Sequence, residues 1–161
     1  MSSLTRLLVF SSLAIFSAAN SLTVYQVLET YGFPVGLLPI GVTDYELDSS
    51  TGEFTVYLTK TCTFTIEGYE LKYKTKITGT VSKNKISNLS GIQVKILLFW
   101  INIAEVTKNG DDIDFSVGIA SADFPADNFE ESPQCGCGFD CVNGDNGGGF
   151  GFKGLLPLLE A

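Results

Sequence analysis

Phe54-Thr55-Val56-Tyr57-Leu58-Thr59 is the stretch that decides the fold, because its apolar and polar side chains alternate. In an extended strand this period of two places Phe54, Val56 and Leu58 on one face and the intervening residues on the other. The same period recurs across residues 42–119 and is clear again at Asp112-Ile113-Asp114-Phe115-Ser116-Val117. The pattern predicts a series of strands, each half-buried.

Turn-forming residues separate these strands at short intervals, which favours antiparallel neighbours joined by hairpins. The turns fall at Asp48-Ser49-Ser50-Thr51-Gly52, Glu67-Gly68, Ser82-Lys83-Asn84, Ser90-Gly91 and Asn109-Gly110-Asp111. We therefore expect a mainly β fold, an antiparallel meander curled into a β-barrel.

One short helix precedes the strands. Residues 22–31 carry apolar side chains at helical spacing, and Gly32 and Pro34 end the pattern. The following Phe33-Pro34-Val35-Gly36-Leu37-Leu38-Pro39 is apolar but bracketed by prolines, so it is neither helix nor central strand. We expect the helix to pack against the barrel and the proline-bracketed loop to lie under the sheet.

The N-terminus predicts export. Arg6, an apolar run over residues 7–16 and the small residues Ser17-Ala18-Ala19 form a secretory signal peptide, residues 1–19. The barrel domain then covers residues 20–135, and residues 136–161 form a Gly-rich, Cys-containing flexible tail. Residues 96–104 are too few to span a bilayer, for which about twenty are needed, so we expect no transmembrane segment in the mature chain. The predicted location is extracellular, in the cell wall or apoplast.

Two further features of the sequence become relevant if the chain is exported. Asn88-Leu89-Ser90 is an acceptor sequence for N-glycosylation at Asn88. The four cysteines, Cys62, Cys135, Cys137 and Cys141, indicate two disulfides in an oxidising compartment, with three connectivities possible. Of these we favour Cys62 with Cys135 and Cys137 with Cys141. Zinc is the less favoured use of these thiols, and we expect no metal or other cofactor.

Charge and composition exclude several classes of function. The net charge of −8 argues against a nucleic acid partner, which requires a basic surface. The chain has no histidine, which excludes Ser-His-Asp and Cys-His nucleophilic centres and imidazole metal ligands. Hydrolysis by paired carboxylates remains open.

The apolar surplus suggests a cavity for a lipid or other amphipathic molecule. Candidate wall residues are Leu37 and Leu38 of the proline-bracketed loop, and Phe99 and Trp100. The last two belong to the run Ile96-Leu97-Leu98-Phe99-Trp100-Ile101, which is apolar on both faces and therefore needs to be covered on both. Lys72, Lys74 and Lys76 alternate along a strand and are candidate anion contacts. The alternatives are an ordinary core for the aromatic residues and a solvated strand face for the lysines.

Acidic residues offer a different hypothesis. Asp111, Asp112 and Asp114 follow a hairpin turn, and Asp44, Glu46 and Asp48 alternate on another strand. Two converging carboxylates would support a hydrolase acting on cell-wall ester or glycosidic bonds, and several would bind calcium. Spacing of two in a strand also places such residues on a solvent face without any chemistry. The sequence favours binding over catalysis, identifies no catalytic residue, and leaves open a protein that acts through a protein partner.

Several motifs in register resemble a plant family. They are Phe33-Pro34-Val35-Gly36-Leu37-Leu38-Pro39, Ile86-Ser87-Asn88-Leu89-Ser90-Gly91-Ile92-Gln93-Val94-Lys95, Phe99-Trp100, and Asp114-Phe115-Ser116-Val117-Gly118-Ile119 running to Phe124-Pro125, Phe129, Pro133 and Cys135. Over residues 22–135 the chain resembles the domain of unknown function 538 family, the SMALLER WITH VARIABLE BRANCHES-like proteins. Asp123 departs from the small residue usual before Phe124-Pro125.

The resemblance implies a secreted plant protein with a helix packed on an antiparallel β-barrel. It also implies a general link to stress responses and growth. Similarity to bactericidal permeability-increasing lipid binders, and esterase-like activities on pectin or chlorophyll, have both been suggested for the family. No catalytic set is established for it, so the resemblance assigns no catalytic residue here.

Overall fold

A computed structural model describes residues 21–139 and 141. The single α-helix of this part, α1 (Val24–Thr30), begins at a capping box. The backbone N–H of Gln26 donates to Oγ1 of Thr23 at 3.2 Å, and the N–H of Thr23 donates to Oε1 of Gln26 at 2.9 Å. These two bonds satisfy donors that a helix N-terminus leaves free. Gly32, with φ of +89°, turns the chain out of the helix, and the predicted helix is confirmed.

Nine strands follow, all paired antiparallel in one sheet. They are β1 (Val42–Leu47), β2 (Glu53–Leu58), β3 (Cys62–Ile66), β4 (Tyr69–Ser82), β5 (Lys85–Ile96), β6 (Phe99–Asn102), β7 (Glu105–Asn109), β8 (Asp112–Ser116) and β9 (Ser121–Pro125). Short 3₁₀ turns precede β1, at Val35–Leu37, and follow β9, at Ala126–Phe129. The mainly β, antiparallel prediction is confirmed.

The long hairpin β4–β5 is shared by two groups of strands. Near its turn β4 pairs with β2 while β5 pairs with β7, which continues to β8 and β9. At the opposite end β4 pairs with β3 and β5 with β6. Between the two groups the register shifts, so that residues 74–77 of β4 face Gly91 of β5. Extra residues on one strand bend it and increase its twist.

The predicted closure into a barrel is not confirmed. The hydrogen-bonded path runs from β1 to β9, and within residues 21–139 and 141 these two end strands do not pair with each other. Alternation in the sequence fixes which side chains face inward, whereas closure depends on the stagger between distant strands. In this fold the sheet is open between β1 and β9, and the register shift between β4 and β5 bends it.

The core lies between the concave face of the sheet, α1 and the loop of residues 33–39. Phe33, Ile77 and Ile113 are among its most completely buried side chains. A disulfide joins Cys62 of β3 to Cys135, and the N–H of Gly136 donates to the carbonyl of Thr63 at 2.7 Å. The start of the predicted tail is therefore fastened to β3. The rest of that tail and the predicted signal peptide lie outside the described residues.

Candidate functional site

The main cavity lies inside this core and measures about 80 Å³. Its walls come from α1, the loop with Leu37 and Leu38, and the inward faces of β1 to β5, β7 and β8. Among the described residues, the lining side chains are all apolar or aromatic, and Tyr31, Tyr45 and Tyr73 supply the only side-chain polar atoms. Such a space favours an apolar guest over a charged one.

A second cavity of about 40 Å³ adjoins the first, since both are lined by Ile66, Leu71, Ile103, Phe115 and Phe129. Its outer wall is aromatic. The ring of Phe124 lies 5.9 Å from that of Phe115 and 5.7 Å, edge to face, from that of Tyr69. The buried Tyr69 hydroxyl has no hydrogen-bond partner among the described residues.

Tyrosine hydroxyls hold the loop under the sheet. The hydroxyl of Tyr73, which is fully buried, donates to the carbonyl of Leu37 at 2.9 Å, and burial raises its pKa far above the ordinary value. The hydroxyl of Tyr25 on α1 donates to the carbonyl of Pro39 at 2.6 Å, and burial also raises its pKa. Both hydroxyls thus stay protonated donors at physiological pH. They fix Leu37 and Leu38 at the cavity wall.

The predicted ligand residues separate into two places. Leu37 and Leu38 are buried and line the main cavity. Phe99 is 69% exposed on β6, and the Nζ of Lys72 lies 3.9 Å from the centre of the Trp100 ring. None of these last three lines either cavity. The run of residues 96–101, which is apolar on both faces, therefore has one face exposed to solvent at the edge of the sheet.

The three lysines lie in two parts of β4. Lys72 pairs with Thr63 and Gln93 inside the regular part of β4, whereas Lys74 and Lys76 lie in the irregular segment opposite Gly91 and are exposed. Leu71, Tyr73 and Ile77, which alternate with these lysines, are buried, and the role of the lysines as anion contacts stays a prediction.

The carboxylates that follow the hairpin turn have different surroundings. Asp112 is exposed and lies opposite Asn109 and Pro125, whereas Asp114 lies opposite Asp123 on β9. Partial burial and then the charge of Asp123 raise the pKa of Asp114, although the Ser121 hydroxyl opposes this. Glu105, which is 3.2 Å from the Nζ of Lys85, adds to the negative field. Neither cavity is lined by these carboxylates or by those of β1.

We expect Asp114→Asn to stabilise the protein at neutral pH. A raised folded-state pKa means that this carboxyl favours folding below its unfolded pKa of about 4 and loses that contribution as the pH rises through the folded value. The neutral amide removes the repulsion from Asp123, which for like charges directly opposite is worth roughly 0.2–1 kcal/mol. Thermal unfolding should show a higher Tm for the variant at pH 7 and none of this gain near pH 3. Asp112→Asn is the control and should show no such pH-dependent gain.

The disulfides are those favoured from the sequence: Cys62 with Cys135 and Cys137 with Cys141. Asn88 is exposed and has a φ of +51° at an irregularity of β5. Its glycosylation stays a prediction.

Residues 21–139 and 141 contain no group of three or more His, Cys, Asp or Glu side chains placed to hold a metal ion. No helix in these ranges has the length and apolar character needed to cross a membrane.

The cavity wall was the part that sequence reasoning missed. Only Leu37 and Leu38 of its residues were proposed, although the signal was present: the inward residues of each alternating strand, such as Val56 and Phe115, form the wall. Alternation shows that these side chains face inward but does not show that they leave a space between them.

Comparison with known proteins identifies the relatives. The chain is 29% identical over 98 residues to "Uncharacterized protein At5g01610" of Arabidopsis thaliana, an alignment that covers 58% of this chain. It spans about half the length of that relative, 55%. The family model described as "Protein of unknown function, DUF538" matches residues 24–130, which run from the first residue of α1 to just beyond the second 3₁₀ turn. This range covers more than half of the chain, which belongs to the DUF538 family.

Proposed function

We propose that this protein is a secreted binding module for a lipid or other amphipathic molecule, which it holds between α1 and the concave face of the sheet. The observation that carries the proposal is the apolar cavity, to which the helix, the proline-bracketed loop and seven strands all contribute. A well-packed core of this size leaves few voids larger than a water molecule. A role in plant stress or growth responses is what the family resemblance adds.

The ligand enters by displacement of a wall. An apolar cavity of about 150 Å³ holds one benzene-sized molecule, so the cavity of about 80 Å³ must widen before it accepts a longer apolar chain. The helix α1 is the suitable element, since Val24 is its one fully buried residue. It is held by the Tyr25 hydroxyl and by a bond of 2.8 Å from the Asn84 N–H to the carbonyl of Tyr31.

Secretion is part of the proposal. Two disulfides among the described residues are typical of a protein that folds in an oxidising compartment. They support the predicted export to the cell wall or apoplast.

We expect a cavity-filling variant to weaken binding. Val56→Phe places a phenyl ring in the main cavity, and we expect it to weaken the binding of a fluorescent fatty acid at least ten-fold, because the ring occupies the space for the ligand. Leu58→Phe is the matched control, on the same face of β2 but outside the cavity wall. Native mass spectrometry of the mature chain, secreted from plant cells, identifies the molecule that the wild type carries.

Two results would contradict this proposal. The first is a wild-type protein that emerges without any bound small molecule and does not bind the fatty acid. The second is equal affinity of the Val56→Phe and wild-type proteins, both folded by circular dichroism.

A carboxylate-based hydrolase acting on cell-wall, pectin-like polysaccharide or other esters is the second candidate. The raised pKa of Asp114 beside Asp123 favours it, because acid–base chemistry needs two carboxyls with different pKa values. If this pair works on an ester, Asp123→Asn and Asp114→Asn each remove turnover while the fold remains intact. Since the pair lines neither cavity, we rank this function below ligand binding.

A further inference from the structure

The hairpin that joins β5 and β6 exposes three consecutive large apolar side chains. Leu97 is 70% exposed, Leu98 84% and Phe99 69%. Ile96 pairs with Phe99, so Leu97 and Leu98 form a two-residue turn at the tip. We call Leu97, Leu98 and Phe99 the apolar tip. Large apolar side chains that cluster on a surface mark a contact site more often than isolated ones do.

The backbone of the tip adds a second observation. Leu97 has a φ of +57°, a conformation that glycine and asparagine adopt in tight hairpins with little strain and leucine does not. A leucine at this position is therefore unfavourable for both the turn and the solvation of the free protein. The combination is explained if the tip is buried against an apolar medium when the protein works.

A tryptophan and two lysines lie next to the apolar tip. This order of side chains matches the order of layers in a bilayer, from the hydrocarbon through the interface to the headgroups. Trp100 and Lys95 form the next pair of the hairpin, about 3.3 Å further along the strands. The Nζ atoms of Lys72 and Lys95 lie 3.9 Å and 5.7 Å from the centre of the Trp100 ring. Indole rings favour the membrane–water interface, and lysines extend their ammonium groups to the phosphates.

The charge around the tip is nearly balanced. The Nζ of Lys95 is 3.4 Å from a carboxylate oxygen of Glu70, and the adjacent β3–β4 turn presents Glu67, which is exposed. The positive charges of Lys72 and Lys95 are thus equal in number to the negative charges of Glu67 and Glu70, while the chain as a whole carries a net charge of −8. This balance suits a zwitterionic phospholipid surface and opposes attraction to a strongly anionic one.

From these observations we propose that the apolar tip inserts into the surface of a zwitterionic phospholipid bilayer and docks the protein there, with Trp100 at the interface. The site is separate from the internal cavity. Docking therefore does not depend on whether the cavity holds a ligand.

Trp100 provides the measurement, because it is the single tryptophan of the chain. With the mature, disulfide-bonded protein and phosphatidylcholine vesicles, we expect a blue shift of its fluorescence and co-sedimentation with the vesicles. Replacing part of the lipid by phosphatidylserine should weaken binding. Leu97→Asn together with Leu98→Asn should reduce the partition coefficient at least ten-fold, since burial of each leucine contributes about that factor.

Matched variants separate this proposal from the alternatives. Ile119→Asn removes an apolar side chain that is 92% exposed at another turn, and it should bind vesicles as the wild type does. Val56→Phe should also bind as the wild type does, whatever its effect on the cavity. Asparagine suits the left-handed backbone at position 97, so the double variant should fold.

The proposal is overturned if the wild type does not bind phosphatidylcholine vesicles, or if the double variant binds as tightly as the wild type. It is also overturned if Ile119→Asn loses as much binding as the double variant. Concentration-dependent self-association that the double variant abolishes, without vesicle binding, would instead assign the tip to a contact between copies of this chain.

Discussion

Replacing Cys62 and Cys135 together by alanine should lower the free energy of unfolding by about 4 kcal/mol. The bond closes a loop with a sequence separation of 73, and the entropy that such a closure removes from the unfolded chain corresponds to roughly that value at 25 °C. The side chain of Cys62 is fully buried, so the double variant also loses packing. Small domains have only about 5–15 kcal/mol of stability, which makes this a large effect.

The Cys137–Cys141 bond is the control, with a separation of 4. The same entropy relation assigns it roughly 2 kcal/mol, so its removal should cost about half as much. Guanidinium unfolding followed by circular dichroism measures both variants. Equal losses, or a larger loss for the short loop, would contradict the expectation.

The Cys62–Cys135 disulfide also supports the loop that lines one side of the main cavity. It holds the segment that follows the second 3₁₀ turn, where the N–H of Ile40 donates to the carbonyl of Pro133 at 2.9 Å and the Ser132 hydroxyl donates to the carbonyl of Val35 at 3.1 Å. Both bonds reach the loop that carries Leu37 and Leu38. Fatty acid binding should therefore weaken in the double alanine variant even under conditions where it stays folded.

The local parts of this fold could be predicted from the sequence because their signals are local. The capped helix α1 follows from apolar spacing and from Gly32, and β2 and β8 follow from alternation. The hairpin at Asn109-Gly110-Asp111 is where the turn residues place it. Each of these elements depends on residues within a few positions of one another.

The parts that the sequence did not predict depend on distant residues. Asp114 faces Asp123 because β8 and β9 pair in one particular register, whereas the sequence shows only that Asp114 follows the same hairpin turn as Asp111 and Asp112. The open sheet likewise depends on how distant strands pair, including the register shift between β4 and β5. A pattern of apolar residues gives the face of each strand but not its stagger against a neighbour.

The candidate site likewise has parts that could be predicted from local residues and parts that depend on distant ones. The loop residues Leu37 and Leu38 could be placed at the core from their apolar character and flanking prolines. Trp100 could be recognised as part of a run that is apolar on both faces. Its position beside Lys72, however, depends on strand pairings that bring together residues 28 positions apart. The cavity depends on curvature, and curvature depends on the bend in β4–β5.

Gly91→Ala tests that bend directly and should be severely destabilising, by about 3 kcal/mol or more. Gly91 has a φ of +100°, and a methyl group there would lie 2.4 Å from the carbonyl oxygen of Lys76 and 3.0 Å from Cα of Ile77. Both of these atoms belong to the backbone of β4, so relief requires the two strands to separate. Backbone strain and steric overlap add at this position.

Gly110→Ala isolates the contribution of the backbone conformation. Gly110 also has a positive φ, +61°, but a methyl group there meets nothing within 4 Å, so its cost should be only about 1–2 kcal/mol. Chemical denaturation of the two variants gives the difference, which is the cost of close approach between β4 and β5. If Gly91→Ala is no more destabilised than Gly110→Ala, the strands can move apart freely, and the bend does not hold the sheet in the curvature that forms the cavity.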